Sequence, residues 1–386
     1  MDVPAYLAES GIKRILLVID PYWWTKRSEV QDFLQEISRR EISYSVTFDI
    51  EPDPSVACVE RVRKSIDADE LEKPDAIVAL GGGSTIDVAK GLSALLRHEG
   101  ALDDLIKGIP TTLSPIPLIA CPTTSGTGSE LTPGAIFRQG TRDVKVGLMS
   151  NKLRPLAAFV DPSLTISCPR DLTLDSALDA LTHAIESFLA LSTDEYPRAE
   201  IASVYSGSNA VTKMFAKQAI ALVFEHLPVV VREPTDLSGR AGMSLASLFA
   251  AMSYSTAGLH GVHALGYALA SATHRPHGQT LAVVLPGVLR ELQTTCQGDL
   301  GELGRMLGSK TNGCEAGDAS FFIDRLQEMF DGLGVSTQLT PWGIKFDQVE
   351  QLVEDSVSIG RLSKAFPLQP PDKHYQRILT RALESI

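Results

Sequence analysis

The chain has no C-x-x-C pair, and its five cysteines (Cys58, Cys121, Cys168, Cys296 and Cys314) are odd in number. Neither a disulfide framework nor a zinc ribbon is therefore expected, and reduced thiols fit a cytoplasmic location. There is also no run of lysine and arginine: 35 basic residues stand against 47 acidic ones, a formal charge of −12. That balance disfavours a nucleic-acid partner, which needs a basic face for counterion release. No basic leader runs into an apolar stretch, and no apolar run reaches about 18 residues, so neither signal peptide nor membrane span is expected. Internal repeats and low-complexity tracts are missing too. What is left is an ordinary globular composition, 44% hydrophobic and 21% charged over 386 residues, long enough for two domains with separate cores.

The first 160 or so residues alternate short apolar runs with amphipathic stretches, the pattern of βαβ units and a mostly parallel sheet. Strands are predicted at Arg14 to Asp20, Ser43 to Asp49, Ala76 to Leu80, Pro117 to Pro122 and Ala157 to Asp161. Helices are predicted at Ser28 to Arg39, from Asp53-Pro54 through Lys64, and at Asp87 to Leu96. The third strand runs straight into Gly81-Gly82-Gly83-Ser84. Glycines at the end of a buried strand let a backbone approach something bulky, and the helix behind them offers free N–H groups and a positive dipole end, as a pyrophosphate requires. The turn lacks the G-x-G-x-x-G pattern, and by itself it also fits a tight strand-to-helix connection without a ligand. The fourth strand opens into Thr123 to Glu130, where four hydroxyls and two glycines could serve phosphate or ribose, or form only a polar turn.

Further on, Leu178 to Glu186 (LDALTHAIE) reads as helix and places Asp179 and His183 four residues apart, hence on one face. A carboxylate and an imidazole at that spacing can close on one ion, as paired histidines do on metalloprotease helices. Taken alone, the pair more readily fits a first-turn aspartate beside a partly buried histidine. A second cluster about eighty residues on, LHGVHALGYALASATHRPHG from Leu259 to Gly278, holds four of the eight histidines.

Four segments in this order, GGGSTIDVAK (81–90), CPTTSGTGSELT (121–132), LDALTHAIES (178–187) and HALGYALASATHRPHG (263–278), resemble the iron-dependent (group III) alcohol dehydrogenases, relatives of glycerol dehydrogenase and dehydroquinate synthase. The resemblance covers roughly residues 11 to 290 and weakens in the C-terminal hundred. It implies an N-terminal α/β dinucleotide-binding domain (1–167), an all-α C-terminal domain (168–386) and an active site in the cleft between them. It assigns a divalent metal, Fe(II) by family habit with Zn(II) as the alternative, to Asp179, His183, His263 and His277. Three neutral imidazoles and one carboxylate leave such an ion with residual positive charge and room for a substrate oxygen. His260 and His274 fall off the ligand positions and read as ordinary histidines.

For the cofactor, the resemblance implies that Gly81, Gly82, Gly83 and Ser84 cradle the pyrophosphate and that Asp87 sits at the nicotinamide end. Thr123, Thr124 and Thr127 would line the ribose and phosphate, with Lys145 and Leu172 also at contact positions. Asp20 falls where an acid meets the adenine ribose, which favours NAD(H) over NADP(H). Two departures stand out. Tyr267 occupies the place where many members carry a proton-relaying histidine, so the phenol relays the proton, or water does, or the site takes another substrate. The lead into the first strand is also shorter than usual. The implied activity is an NAD(P)(H)-dependent interconversion of a small alcohol and its aldehyde, with the phosphonoacetaldehyde reductase branch suggested by HALGY. The alternatives are a dehydroquinate-synthase-like lyase or cyclase, a maleylacetate reductase-like enzyme and a non-catalytic cofactor binder. An anionic substrate would want a cation, for which Arg275 is the positional candidate. Tyr196 to Phe215 looks longer than its counterpart and suggests a lid or an oligomer contact; a homodimer is the family expectation.

Overall fold

The computed structural model describes residues 2–68, 73–108, 114–140, 144–197, 204–311 and 313–384. It divides into two compact units, Met1–Thr165 and Ile166–Ile386. The first is built on a parallel five-stranded sheet in the order β2-β1-β3-β4-β7. Its strands are β1 (Arg14–Ile19), β2 (Ser43–Thr47), β3 (Ala76–Gly81), β4 (Leu118–Pro122) and β7 (Ala157–Ala158). An antiparallel hairpin, β5 (Gly134–Gln139) with β6 (Val144–Met149), stands apart from the sheet. The helices are α1 (Val3–Glu9), α2 (Pro21–Lys26), α3 (Glu29–Arg39), α4 (Val56–Ala68), α5 (Gly83–Leu95) and α6 (Leu102–Ile106).

The near-continuous apolar runs of β1 and β3 follow from burial on both faces, the condition of parallel sheets covered by helices. Alternate side chains divide between two cores. Leu16, Val18, Ile77 and Ala79 pack with Val59, Val62, Ile86 and Leu92 of α4 and α5. Ile15, Leu17, Ile19 and Val78 pack with Leu7, Leu34 and Ile37 of α1 and α3. The strand order reverses between β1 and β3, and at such a switch point the carboxyl ends of the strands open a crevice for ligands.

Two helix starts differ from the sequence expectation. Helix α5 begins at Gly83 rather than Asp87, because Gly82 is extended (φ −77°, ψ −171°) and its carbonyl already accepts from Ile86 N at 3.1 Å. Helix α4 begins at Val56 rather than at Asp53-Pro54: Asp53 has a positive φ of 53°, and Ser55 takes the capping duty, its Oγ accepting from Cys58 N at 3.1 Å. The hairpin and α1 were not anticipated.

The second unit is helical: α7 (Arg170–Leu189), α8 (Ala210–Arg232), α9 (Leu237–Ala257), α10 (Gly261–Thr273), α11 (His277–Leu292), α12 (Gln297–Met306), α13 (Glu315–Leu333), α14 (Val349–Ser358), α15 (Gly360–Ser363) and α16 (Pro371–Glu384). Helix α7 is buried on all sides from Ser176 to Leu189 and packs against α8, α9 and α11. An all-round buried helix marks the centre of a bundle. Helix α8 meets the length and apolarity of a membrane span, contrary to the expectation from the sequence. Its apolar residues Ala216, Ile220, Val223 and Leu227 are buried, and it packs on α7 and α9. Part of the suggested lid, residues 198–203, lies outside the described residues. The fold class is as the sequence implied, an α/β unit followed by an all-helical one.

Candidate metal centre and nucleotide turn

Helix α7 carries Asp175, Asp179, His183 and Glu186 at spacings of four, four and three residues, which puts all four on one face. Helix α10 presents His263 from its first turn, and α11 begins with His277 directly after Pro276. The Nε2 atoms of His183, His263 and His277 lie 3.3, 3.6 and 3.8 Å from Asp179 Oδ1. The two longer separations exceed hydrogen-bond range, and neither Asp179 Oδ1 nor His263 Nε2 has a hydrogen-bond partner although both are buried. Four ligands at about 2.1 Å from a tetrahedral ion would stand about 3.4 Å apart. Asp179, His183 and His263 form a group that could hold a metal ion, and His277 Nε2 reaches the same Asp179 oxygen only at 3.8 Å.

The surroundings fix the orientation of these ligands. Glu186 is fully buried, and its Oε2 takes the His263 Nδ1 in a short hydrogen bond while Oε1 accepts from Val262 N at 2.7 Å. A proton held on Nδ1 leaves Nε2 to face Asp179, the carboxylate–histidine arrangement that sets the tautomer of a metal-bound imidazole. His260 is also buried, its Nδ1 3.2 Å from Glu186 Oε1, so it belongs to this layer and is not an incidental histidine. Tyr254 stacks on the His183 ring at 4.0 Å. Asp175 accepts from Gln279 N at 3.0 Å and so ties α7 to the first turn of α11, next to His277.

Charge follows the same geometry. Burial alone would raise the Asp179 carboxyl, but the imidazoles of His183, His263 and His277 outweigh it and hold the acid well below the carboxylate range. Burial is likewise overcome at Glu186, which His260 and His263 hold at about 2. Asp175 has no such cation, and burial lifts it to about 6. Tyr267 stacks on His277 at 5.0 Å, and burial pushes its phenol to about 12, so it stays protonated at neutral pH.

In the first unit, Asp20 caps α2 at the carboxyl end of β1, its Oδ1 accepting from Tyr22 N at 2.9 Å. The Asp20 N–H donates to Leu80 O at 2.9 Å, which places it beside the glycine turn at the β1/β3 switch point. None of the three glycines has a positive φ, so room and not backbone freedom explains them. A Cβ on Gly81 would lie 2.3 Å from Thr85 Oγ1, and one on Gly83 would lie 2.6 Å from Thr127 Cγ2, so these two make space for the protein itself. Gly82 meets only Thr124, at 3.2 Å, and leaves the start of α5 without a side-chain cap. The uncapped N–H groups suit an anion such as pyrophosphate.

Thr123 N donates to Gly81 O at 3.0 Å, so the Thr123, Thr124 and Thr127 loop lies directly against the turn. Ser84 Oγ accepts from Asp53 N at 3.0 Å, and Asp53 pairs with Lys145. Both oxygens of Asp87 are engaged, Oδ1 with Ser129 Oγ at 2.9 Å and Oδ2 with Ile136 N at 2.8 Å, which ties α5 to the hairpin. Leu172 lies in the second unit, in the first turn of α7, 45% exposed.

Sequence reasoning missed Asp175, Glu186 and Tyr254, and read His260 as ordinary. The first two were legible as an extension of the Asp179–His183 stripe by one turn in each direction. Tyr254 comes from a distant segment and carries no local signal. The suggested cation, Arg275, is exposed and lies over the Trp342 ring at 5.1 Å, and His274 is an exposed αL residue ending α10.

Comparison with known proteins gives a consistent result. Residues 1–162 match the family model for iron-containing alcohol dehydrogenase, and residues 173–383 match the C-terminal model of the Fe-containing alcohol dehydrogenase family. The mitochondrial hydroxyacid-oxoacid transhydrogenase of Mus musculus is 31% identical, over 95% of this chain and 83% of its own length. The NAD-dependent methanol dehydrogenase of Bacillus methanolicus is 28% identical, over 92% of this chain and 88% of its own. Among solved structures, a 1,3-propanediol oxidoreductase superposes with a TM-score of 0.88 at 26% identity, covering 99% of this chain and 95% of that one.

Proposed function

The chain belongs to the iron-containing alcohol dehydrogenase family, and from that premise we propose that it is a metal-dependent NAD(P)(H) oxidoreductase that interconverts a small alcohol and its aldehyde, working in the cell as an aldehyde reductase. The observation that carries this reading is the convergence of three imidazole Nε2 atoms on one buried carboxylate oxygen. Asp179, His183, His263 and His277 would hold the ion, Fe(II) by preference and Zn(II) as the alternative. Bound together, metal and nicotinamide would supply Lewis-acid polarisation of the substrate oxygen and a hydride donor or acceptor.

The rest falls to the chain's own residues. Glu186 keeps the proton of His263 on Nδ1, so that Nε2 remains a ligand atom. Asp175 fixes the start of α11 and with it His277. The Tyr267 hydroxyl, protonated at neutral pH and stacked on His277, is placed to donate a hydrogen bond where the family's histidine would stand. In the first unit, Gly82 and the start of α5 would receive the pyrophosphate and Asp20 the adenine ribose, which supports NAD(H) over NADP(H). The named activities of the relatives span both neutral and charged substrates: methanol in one, hydroxyacids and oxoacids in the other. Phosphonoacetaldehyde is a substrate to include in any trial.

The test is NADH oxidation by metal-stripped protein reloaded separately with ferrous iron and with zinc, against short neutral, carboxylated, sulfonated and phosphonylated aldehydes. Metal-dependent turnover of any of them is the expected result. Bound NADH without net oxidation under every metal would overturn the reductase and favour the dehydroquinate-synthase-like lyase.

A further inference from the structure

Arg361 is half-buried on the short helix α15, which packs on α10 close to the metal ligands. Its guanidinium lies over the Tyr267 ring at 5.8 Å, and Tyr267 in turn stands 5.0 Å from the His277 ring and 5.8 Å from that of His263. Its electrostatic neighbours are three phenols, Tyr196, Tyr205 and Tyr267, and among the described residues no carboxylate pairs with it. Arg240 shows the ordinary alternative. That arginine of the same unit is buried too, but it spends its donors on Pro234 O at 2.8 Å, Cys168 O at 3.1 Å and Thr173 Oγ1 at 2.9 Å. The Arg361 guanidinium hydrogen-bonds the Tyr267 side chain, and among the described residues neither a carboxylate nor a carbonyl pairs with it, which leaves further donors of its fork for a ligand. Tyr196 adds a second unfinished group, a buried hydroxyl without a hydrogen-bond partner. A phenol carries its proton at neutral pH, so Tyr196 and Tyr267 each offer a donor.

We propose that the substrate carries a terminal oxyanion, a carboxylate, sulfonate or phosphonate, and that Arg361 with the hydroxyls of Tyr196 and Tyr267 holds it beside the metal ligands. The planar fork of a guanidinium matches two oxygens of such a group, and the phenols supply further donors without adding charge. This rests on the reductase reading and narrows its substrate class. It also replaces Arg275, whose guanidinium is spent on Trp342.

Two measurements test it. The first compares kcat/KM for aldehydes matched in length, butanal against succinic semialdehyde and propanal against sulfoacetaldehyde and phosphonoacetaldehyde, in wild type, Arg361→Gln and Arg361→Lys. The wild type prefers an anionic member, and Arg361→Gln lowers the anionic-to-neutral ratio about 10²-fold, with Arg361→Lys in between because it keeps the charge and loses the fork. The second titrates the metal-loaded enzyme–NADH complex calorimetrically with methylphosphonate, methanesulfonate and acetate, which cannot react. At least one binds, about 30-fold more weakly in Arg361→Gln. A wild type indifferent to the anion, or a ratio and an affinity unchanged in Arg361→Gln, overturns the proposal; the latter would mean that the anion binds the metal alone. If no aldehyde is turned over, the reductase reading fails while the titration still decides the anion site. If Arg361→Gln does not fold, the wild-type ratio and Arg361→Lys decide it.

Discussion

Asp87 on α5 and Asp179 on α7 are both buried aspartates inside helices, yet their surroundings move them in opposite directions. At Asp87 burial prevails over Lys90 and two hydrogen bonds, and the acid is raised; at Asp179 three imidazoles prevail over burial, and the acid is lowered. The contrast in hydrogen bonding runs parallel. Asp87 has both oxygens committed, to Ser129 and to Ile136 N, whereas Asp179 Oδ1 faces three Nε2 atoms and bonds to none. A saturated carboxylate is suited to anchoring structure, and an unsaturated one ringed by imidazoles has the chemistry to hold a divalent ion.

The largest separation between the two acids should come from Asp179→Asn. It is expected to lower kcat/KM about 10³-fold or more, corresponding to about 4 kcal/mol of lost charge stabilisation, with metal content falling well below one ion per chain by elemental analysis. Full metal content in that variant would remove Asp179 from the ligand set. The matching damage in the first unit is to stability. Lys90 donates to Thr132 O at 2.9 Å, Thr132 Oγ1 at 3.0 Å and Gly134 O at 2.7 Å from a wholly buried position. Lys90→Met should therefore cost about 3 kcal/mol in urea unfolding by stranding buried carbonyls, with metal content unchanged.

Glu186→Gln sharpens the comparison, since it removes a charge that acts on the metal only through His263. Metal affinity is expected to fall about 10- to 100-fold in a competition titration, while the chain still folds. Unaltered affinity would leave Glu186 a packing residue. The smallest effect concerns Asp175, whose burial lifts its acid from an unfolded value of 3.8 to about 6. A raised acid stabilises the fold below the unfolded value and loses that contribution as pH rises through 6. In the metal-free protein Asp175→Asn should thus be the more stable form above pH 6, by about 1 kcal/mol, with the gain fading toward pH 4. A gain that grew on acidification would contradict the assignment.

The parts of the site readable in advance share one property: each rests on residues close in sequence. Asp179 and His183 are one helical turn apart, and Gly82 follows directly from the strand that aims it. Glu186 and Asp175 lay within reach of the same periodicity. The start of α5 was placed late because Gly82 hides its capping role, having no side chain to reveal it. Arg361, Tyr254 and Lys90 could not be read, since their meaning depends on partners between about 42 and 165 residues away, brought near only by packing. The hairpin was missed for a related reason. Its alternating pattern is short, and its anchor is the carboxylate of Asp87, roughly 47 residues upstream of its first strand.

Periodicity by itself determined the βαβ pattern of the first unit and the shared face of Asp179 and His183, because helical spacing converts sequence interval directly into shared direction; the family, the all-helical second unit and His263 and His277 as further candidates were implied only by the resemblance of four local motifs. The tertiary structure alone decided which oxygen the imidazoles meet, which carboxylate faces the Nδ1 of His263, and which phenols surround Arg361. Those are matters of distance and burial between segments far apart in the chain, and no local pattern encodes them.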